Sequence, residues 1–432
     1  MTNATPSGRV QNLSPDQELV LKEFWMYILH FSGYKVTPHG PLSRSNSVKA
    51  VPVEKHAHKS GGGSSSSGGG LFGRFKRNSK KEEEHLAKTL SNQAAIDPSV
   101  KHSTDVTVHE ALASLDPKKV LDAFWLAIRQ DYPDNLILRF IRARKWDVDH
   151  SLLMFANSIE WRMKESHVDS LLHGGELECQ RKGLDGVISQ FKSGKCLIHG
   201  KDRRGRPLVI VRPRFHHKAD QTPEEIEKFT LLMIEYSRLT LHEPVDSCTV
   251  IFDLQGFTMA NMDYDPVKFM IKAFEAHYPE SLGVLLIHRA PWIFNGIWKI
   301  VKNWLDPVVA SKINFTKNIS DLEKFIEKDQ LMKFLDGDDD YEYEYLQPNE
   351  KDNGLAITDK EITEKLFLER SKLQEEFISK TIAWIETPDN ETSKSLLQER
   401  LEIQRKLTDN YHSYDGAVRN RSIYDRLSVI KL

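Results

Sequence analysis

Cysteine is scarce: Cys179, Cys196 and Cys248 are the whole supply in 432 residues. Three thiols form no CxxC and cannot all pair, which suits a reducing cytosol and excludes a disulfide-stapled secreted scaffold. An excess of charge of one sign is also absent, because 60 Lys and Arg against 62 Asp and Glu leave a formal net charge of −2. No global basic field draws the chain to nucleic acid. Long hydrophobic runs are missing too. A bilayer span needs ~20 apolar residues, and the best stretch, 284–310, is interrupted by His288, Arg289, Lys299, Lys302 and Asp306. The opening, Met1-Thr2-Asn3-Ala4-Thr5-Pro6, lacks the charged-then-apolar order of a secretion signal. A cytoplasmic location is the expectation.

Catalytic signatures are lacking as well. There is no GxxxxGK[ST] or GxGxxG loop to cradle a nucleotide and no GxSxG elbow. His56-Ala-His58 and His216-His217 have no Cys or carboxylate at metal-ligand spacing, so no metal site is expected. Cys248, Asp253 and His288 sit at ends of candidate strands, but nothing at Cys248 would lower a thiol pKa. The chain reads as a non-enzyme without a cofactor.

What is present is pattern. Ser14 as N-cap with Pro15 behind it opens a helix that runs to near Gly33. Periodicity is then lost from about 35 to 104, and GGGSSSSGGG at 61–70 has the composition of a flexible, disordered linker. Asp116-Pro117 restarts the pattern. Leu121, Phe124, Trp125 and Ile128 repeat the spacing of Leu21, Phe24, Trp25 and Ile28, so the two helices are expected to dock in one helical subdomain. Helices at 135–145 and 148–165 follow. Strand-like runs at 196–199, 208–211, 248–254 and 284–288 then alternate with helices opened by the Thr222–Glu225 capping box and by Asp265-Pro266. Such alternation predicts right-handed crossovers and a mainly parallel sheet, an α/β class. Six acids and no base in the ten residues 336–345 suggest a boundary. Two Glu/Lys/Leu-rich helices, 359–386 and 393–410, are expected to form a hairpin after it.

Three sets of residues stand out against this background. At ~100° per residue, Arg144 falls about 140° from Arg139, inside an arc shared with Phe140, Ile137 and Ile141. A guanidinium on a buried face calls for an internal carboxylate or an anionic ligand, and its fork suits phosphate. Lys312 shares a helix face with Val308 and Val309, and Glu280 follows Tyr278-Pro279 where an acid can pair with either cation. The segment WIFNGIWKIVKNWL (292–305) separates an aromatic face from a face carrying Lys299 and Lys302, as an element that closes a pocket and meets a membrane would. A smaller basic-aromatic stretch, LFGRFKRNSKK (71–81), could touch anionic lipid, but Glu82 to Glu84 follow at once and a solvated linker end is the favoured reading.

Taken in order, LRFIRARKWD (138–147), Glu160-Trp161-Arg162, Asp202 with Gly205-Arg206-Pro207, FDLQG (252–256), HYPE (277–280), Ala290-Pro291 and LDPVVASKI (305–313) resemble the CRAL-TRIO family, specifically its fungal phosphatidylinositol/phosphatidylcholine transfer proteins. The resemblance covers 116–338, about half the chain. It implies a lipid cavity with a mainly parallel sheet as floor, a helical lead-in, and a gate helix carrying Trp292, Phe294, Ile297, Trp298, Val301 and Trp304. It also implies a phosphatidylinositol headgroup site at Arg144, Lys145, Glu280 and Lys312, with Val309 where the family has a threonine. Positions that hold choline phosphate in the family become Cys248 and Val250 on one strand and Leu197 and Ile198 on another. The second ligand is therefore expected to be apolar, squalene- or sterol-like.

The resulting division is an N-terminal helix (1–34), a Gly/Ser-rich linker (35–110), a helical subdomain (111–174), a lipid-binding domain (175–340) and a helical hairpin (341–432). The expected function is non-enzymatic exchange of phosphatidylinositol for that second lipid between membranes. The alternatives are a lipid sensor acting on a phosphoinositide kinase or other partner, and a recruitment module for a regulator of small GTPases. Expected partners are phosphatidylinositol and membrane surfaces, with no nucleic acid.

Overall fold

The computed structural model describes residues 5–39, 109–354 and 359–432. Most of the linker, and with it the basic-aromatic stretch 71–81, lies outside the described residues. Helix α1 (Pro15–Phe31) begins as its residues dictate: the Ser14 hydroxyl accepts from the Gln17 N–H while the Gln17 side chain accepts from the Ser14 N–H. Helix α2 (Val120–Ile128) starts three residues later than Pro117 suggests, because Asp116 first folds a turn by accepting from the Lys118 N–H. Helices α3 (Pro133–Ala143) and α4 (Val148–Glu160) follow, the latter running into a wider π turn over Trp161–Glu165. Helices α5 (Val168–Arg181) and α6 (Asp185–Lys192) lead to the sheet.

The sheet has five strands in sequential order: β1 (Cys196–Lys201), β2 (Pro207–Val211), β3 (Cys248–Asp253), β4 (Leu282–His288) and β5 (Ile313–Thr316). Only β1 and β2 are antiparallel; β2 through β5 are parallel neighbours, joined by helical crossovers. Those crossovers are α7 (Pro223–Arg238), α8 (Tyr264–Lys272) with a π turn over Ala273–His277, and the pair α9 (Phe294–Val301) and α10 (Pro307–Ser311). Asp263, not Asp265, caps α8. Helices α11 (Ile319–Leu322), α12 (Lys360–Glu386), α13 (Asn390–Val418) and α14 (Ile423–Arg426) complete the chain.

The largest apolar core draws on α1, α2, α3 and α4 and on the hairpin α12–α13 at once. Trp25 packs edge-on against Phe124 at 5.5 Å, the side-by-side docking expected of the two matching helices, and also against Phe377 of α12 at 5.5 Å. One acid sits at the centre. Asp134, in the first turn of α3, accepts from Trp25 Nε1 at 2.7 Å, from Arg400 Nη2 at 2.6 Å and from Gln404 Nε2 at 3.0 Å. Arg400 in turn lies over the Trp384 and Phe377 rings. The hairpin is thus interleaved with the lead-in helices rather than appended to them.

The acid-rich run also departs from a plain boundary. Its alternation is a strand-like period of two: Glu342 and Glu344 face solvent while the tyrosines between them turn inward. Tyr341 stacks on His199 at 3.7 Å, and the Tyr343 hydroxyl donates to the Phe191 carbonyl at 2.7 Å. Beyond α13, the Tyr424 hydroxyl donates to the Cys196 carbonyl on edge strand β1, and Arg426 pairs with the buried Glu176 at 2.6 Å.

Candidate functional site

Parallel strands begin at the same edge of a sheet, and that edge gathers residues far apart in sequence. Glu280 and Ser281 precede β4, Lys312 precedes β5 and Asp246 precedes β3. Glu280 Oε2 and Lys312 Nζ stand 3.6 Å apart, both half-buried. An ammonium beside a carboxylate at a protected sheet edge offers donors to a phosphate and acceptors to ring hydroxyls.

The turn that carries Glu280 is held from behind. Glu280 has φ +58°, a conformation a non-glycine residue keeps only where its surroundings enforce it. The His277 ring lies flat on Trp161 with centroids 3.9 Å apart, and the Tyr278 hydroxyl donates to Glu235 Oε1 at 2.8 Å. Arg162 donates to the same oxygen at 2.8 Å. Burial alone would raise the Glu235 pKa, but Arg162, Arg238 and Arg129 overcome it and hold the carboxyl at about 2.

The lead-in cations are arranged otherwise than the helical wheel implies. Helix α3 ends at Ala143, Arg144 is its C-cap, and Lys145 and Trp146 take left-handed backbone angles of +54° and +67°. A 100° step no longer applies there, so Arg144 and Lys145 are solvent-exposed instead of lying on the apolar face. Neither forms a hydrogen bond or ion pair with Glu280 or Lys312. The cation that α3 does bury is Arg139, whose Nη1 reaches Ser281 Oγ at 3.4 Å. Arg142 is bound to Asp246 at 2.9 Å, as is Arg9. Sequence reasoning passed over Arg139 because the wheel sets it opposite the apolar arc.

Cross-strand register defines the floor. Ile198, Val209, Val250, Leu285 and Ile313 form one row from β1 to β5, and Cys196, Val211, Phe252, Ile287 and Phe315 form the next. Neither row has a hydroxyl. Toward β1 it is filled by α7 side chains such as Phe229 and Met233, while Val209, Phe252, Leu285 and Ile313 stay half-exposed. Leu197 does not belong with this set. The pleat turns it to the opposite face, into a core with Ile210, Ile251 and Leu286, while its neighbour Ile198 faces α7. Thr249 faces away too and donates to Asp202 at 2.7 Å, so it supplies no hydroxyl to the floor. Cys248 is on the floor side but sits against Ser237 of α7, and burial pushes its thiol up to about 11.

The aromatic helix covers one end of this floor. Ile297 of α9 is fully packed against Phe252, Leu254, Phe257 and Ile287, and Val301 and Phe294 flank it. Trp298 meets Phe315 edge-on at 5.2 Å, and Trp304 meets Tyr264 of α8 at 5.6 Å. The helix begins only at Phe294, which leaves Trp292 in the preceding turn and 84% exposed; Ile300, inside the expected apolar arc, is 45% exposed. These two form the outward apolar edge beside Lys299 and Lys302.

A nucleophile, base and acid do not converge. Cys248 and Asp253 lie at opposite ends of β3, about 16 Å apart at ~3.3 Å per residue. Asp253 is taken by Arg214 at 2.8 Å and by Arg289, and His288 Nδ1 lies 3.0 Å from Thr316 Oγ1. Among the described residues no group of His, Cys, Asp and Glu could hold a metal ion, and no helix is long and apolar enough to cross a membrane.

Comparison with known proteins identifies the family. The CRAL/TRIO domain matches residues 191–337 and the CRAL/TRIO N-terminal domain matches residues 106–157. The sequence is 40% identical over 437 aligned positions to phosphatidylinositol transfer protein CSR1 of Eremothecium gossypii, covering 100% of both chains. It is 36% identical to CRAL-TRIO domain-containing protein C3H8.02 of Schizosaccharomyces pombe over 98% of this chain and 92% of that one. Phosphatidylinositol/phosphatidylcholine transfer protein SFH12 of Arabidopsis thaliana is 27% identical over 61% of this chain and 51% of its own length.

Proposed function

The chain belongs to the CRAL/TRIO family, and from that premise we propose that it carries phosphatidylinositol between membranes, exchanging it for a second, more apolar lipid without covalent chemistry. The Glu280–Lys312 pair is the observation that carries this reading. The lysine suits the phosphodiester and the acid suits inositol hydroxyls, while the hydrocarbon chains lie along the floor rows beneath α9. The full-length similarity to a phosphatidylinositol transfer protein supports the same assignment.

The second lipid follows from what the floor lacks. A phosphocholine group drawn over Val250, Leu285 and Ile313 leaves water without hydroxyl partners, and each unmade hydrogen bond costs on the order of 1–3 kcal/mol. A sterol- or squalene-like hydrocarbon gains ~25 cal/mol per Å² on the same surface. Opening takes place at a bilayer, where Trp292 and Ile300 enter the interface beside Lys299 and Lys302. Arg144 and Lys145, exposed at the end of α3, meet the headgroup from outside as α9 moves.

The test is transfer of labelled phosphatidylinositol from donor to acceptor vesicles. Lys312→Ala is expected to lower the rate ~10-fold or more, through loss of a charge-assisted contact. Wild-type transfer by a folded Lys312→Ala protein contradicts the reading. Loading with labelled phosphatidylcholine against a labelled sterol or triterpene tests the second ligand, and tight stoichiometric uptake of phosphatidylcholine alone contradicts an apolar one.

A further inference from the structure

Buried arginines in this protein come with acceptors. Arg129, Arg162, Arg238, Arg400 and Arg419 each meet at least one carboxylate, and Arg370 donates to the Leu407 and Arg129 carbonyls. Arg139 is the exception among the described residues. It is 4% exposed, has no carboxylate within 4.0 Å, and makes one long hydrogen bond, to Ser281 Oγ at 3.4 Å. Asp246, whose carboxyl Arg139 helps to hold below the usual range, is in contact with Arg9 and Arg142 instead. A guanidinium removed from water with no carboxylate in contact leaves its donors largely unmet, so a residue in this state points to an anion that arrives later.

A second observation lies in the same place. Arg139 lines a cavity of about 30 Å³ between α3, α4 and the turn before β4, with Phe140, Phe155, Ser158 and His277 around it. Both ring nitrogens of His277 are buried there without a hydrogen-bond partner. Burial pushes the His277 pKa down to about 3, so the ring is neutral and has one N–H to give. Donors face this space and no carboxylate does. Ser281, the one hydrogen-bond partner of the Arg139 side chain among the described residues, is next to Glu280.

We propose that Arg139 is an anion-binding residue of the Glu280–Lys312 site, its guanidinium receiving a phosphate oxyanion that enters past Ser281. This rests on the reading that the edge before β4 and β5 holds a phosphate-bearing headgroup. A lipid phosphodiester and free phosphate share the chemistry. The guanidinium fork takes two oxygens, whereas Lys312 alone gives a point charge.

The test uses the full chain with Arg139→Gln, Arg139→Lys and Lys312→Ala as reference. Vesicles of phosphatidylcholine containing labelled phosphatidylinositol measure uptake, and melting without lipid measures the fold. The expectation is that Arg139→Gln loses uptake ~10-fold or more, with Arg139→Lys intermediate. Lipid-free Arg139→Gln should melt no lower than wild type, since it removes a buried charge that no carboxylate contacts. Uptake at the wild-type rate by Arg139→Gln while Lys312→Ala is defective overturns the proposal and leaves the function standing. Uptake at the wild-type rate by both overturns the function first. A marked fall in the melting temperature of Arg139→Gln makes the arginine structural and also overturns the proposal. Should Arg139→Gln fail to fold, the wild type and Arg139→Lys titrated with inorganic phosphate decide. A rise in melting temperature that is weaker in the lysine variant supports an anion site filled by free phosphate, and no rise in either overturns it.

Discussion

Asp134 and Arg139 stand five residues apart on helix α3, and both are buried charges. Asp134 is met from three directions, by the α1 tryptophan and by Arg400 and Gln404 of α13. Arg139 is met from one, weakly. Burying a charge is expensive in either case, but the two ends of the helix answer that expense differently. At the first turn the answer is built into the chain, and the result is a rigid joint between α1, α3 and α13. At the other end Arg139 has no carboxylate in contact and Arg144 and Lys145 are exposed, and on the proposal above the matching anion is a ligand. A buried charge with its partners in place marks scaffold; one without them marks a site.

Breaking the joint should have the largest effect on stability. Arg400→Ala leaves Asp134 buried with its ionic partner gone, and breaking a buried pair from one side typically costs ~3–5 kcal/mol. The urea midpoint should fall accordingly. Glu176 provides an intermediate case. Burial pushes its pKa up from 4.5 to about 7, with the Arg426 contact opposing only part of the rise. The folded protein therefore holds this proton more tightly than the unfolded chain, and stability contributed by Glu176 is lost as pH rises from about 4.5 to 7. Glu176→Gln should flatten that portion of a melting-temperature profile; an unchanged slope would show that Arg426 compensates the charge in full. Arg142→Ala should cost less, ~1–3 kcal/mol, because Arg9 stays on Asp246 with two hydrogen bonds at 2.9 Å. Lys312→Ala should move stability least, within ~1 kcal/mol for a half-exposed pair, while lowering lipid transfer ~10-fold or more. Melts of the four variants under one condition would rank them.

Much of the scaffold was legible because it is local. The Ser14 and Thr222 capping boxes, the proline-led helices and four of five strands are written in adjacent residues. Strand β5 was not, since four residues with Asn314 among them carry no alternation to detect. The site was legible as a set of residue types and not as a geometry. Glu280 and Lys312 lie thirty-odd positions apart, and only the parallel pairing of β4 with β5 makes them neighbours. Arg144 was misplaced for a backbone reason, because the helix stops one residue before it. Leu197 was misplaced for a pleat reason, because consecutive strand residues cannot share a face. The Asp134 node was invisible, because its partners come from segments more than 100 and more than 260 residues away.

The interleaving of α1 with α13 has a consequence for the order of assembly during synthesis. Lys22 donates to Ser393 across 371 positions, and Trp25 closes over Phe377. At ~5–20 residues per second, a ribosome needs roughly 20 to 70 s to deliver the second partner after the first. Throughout that interval the apolar face of α1, with Leu21, Phe24, Trp25 and Ile28, has only part of its eventual cover. The sheet can form meanwhile, but the helical half closes only when the hairpin emerges. The cover of α1 is therefore completed only at the end of elongation, when the last helices reach it.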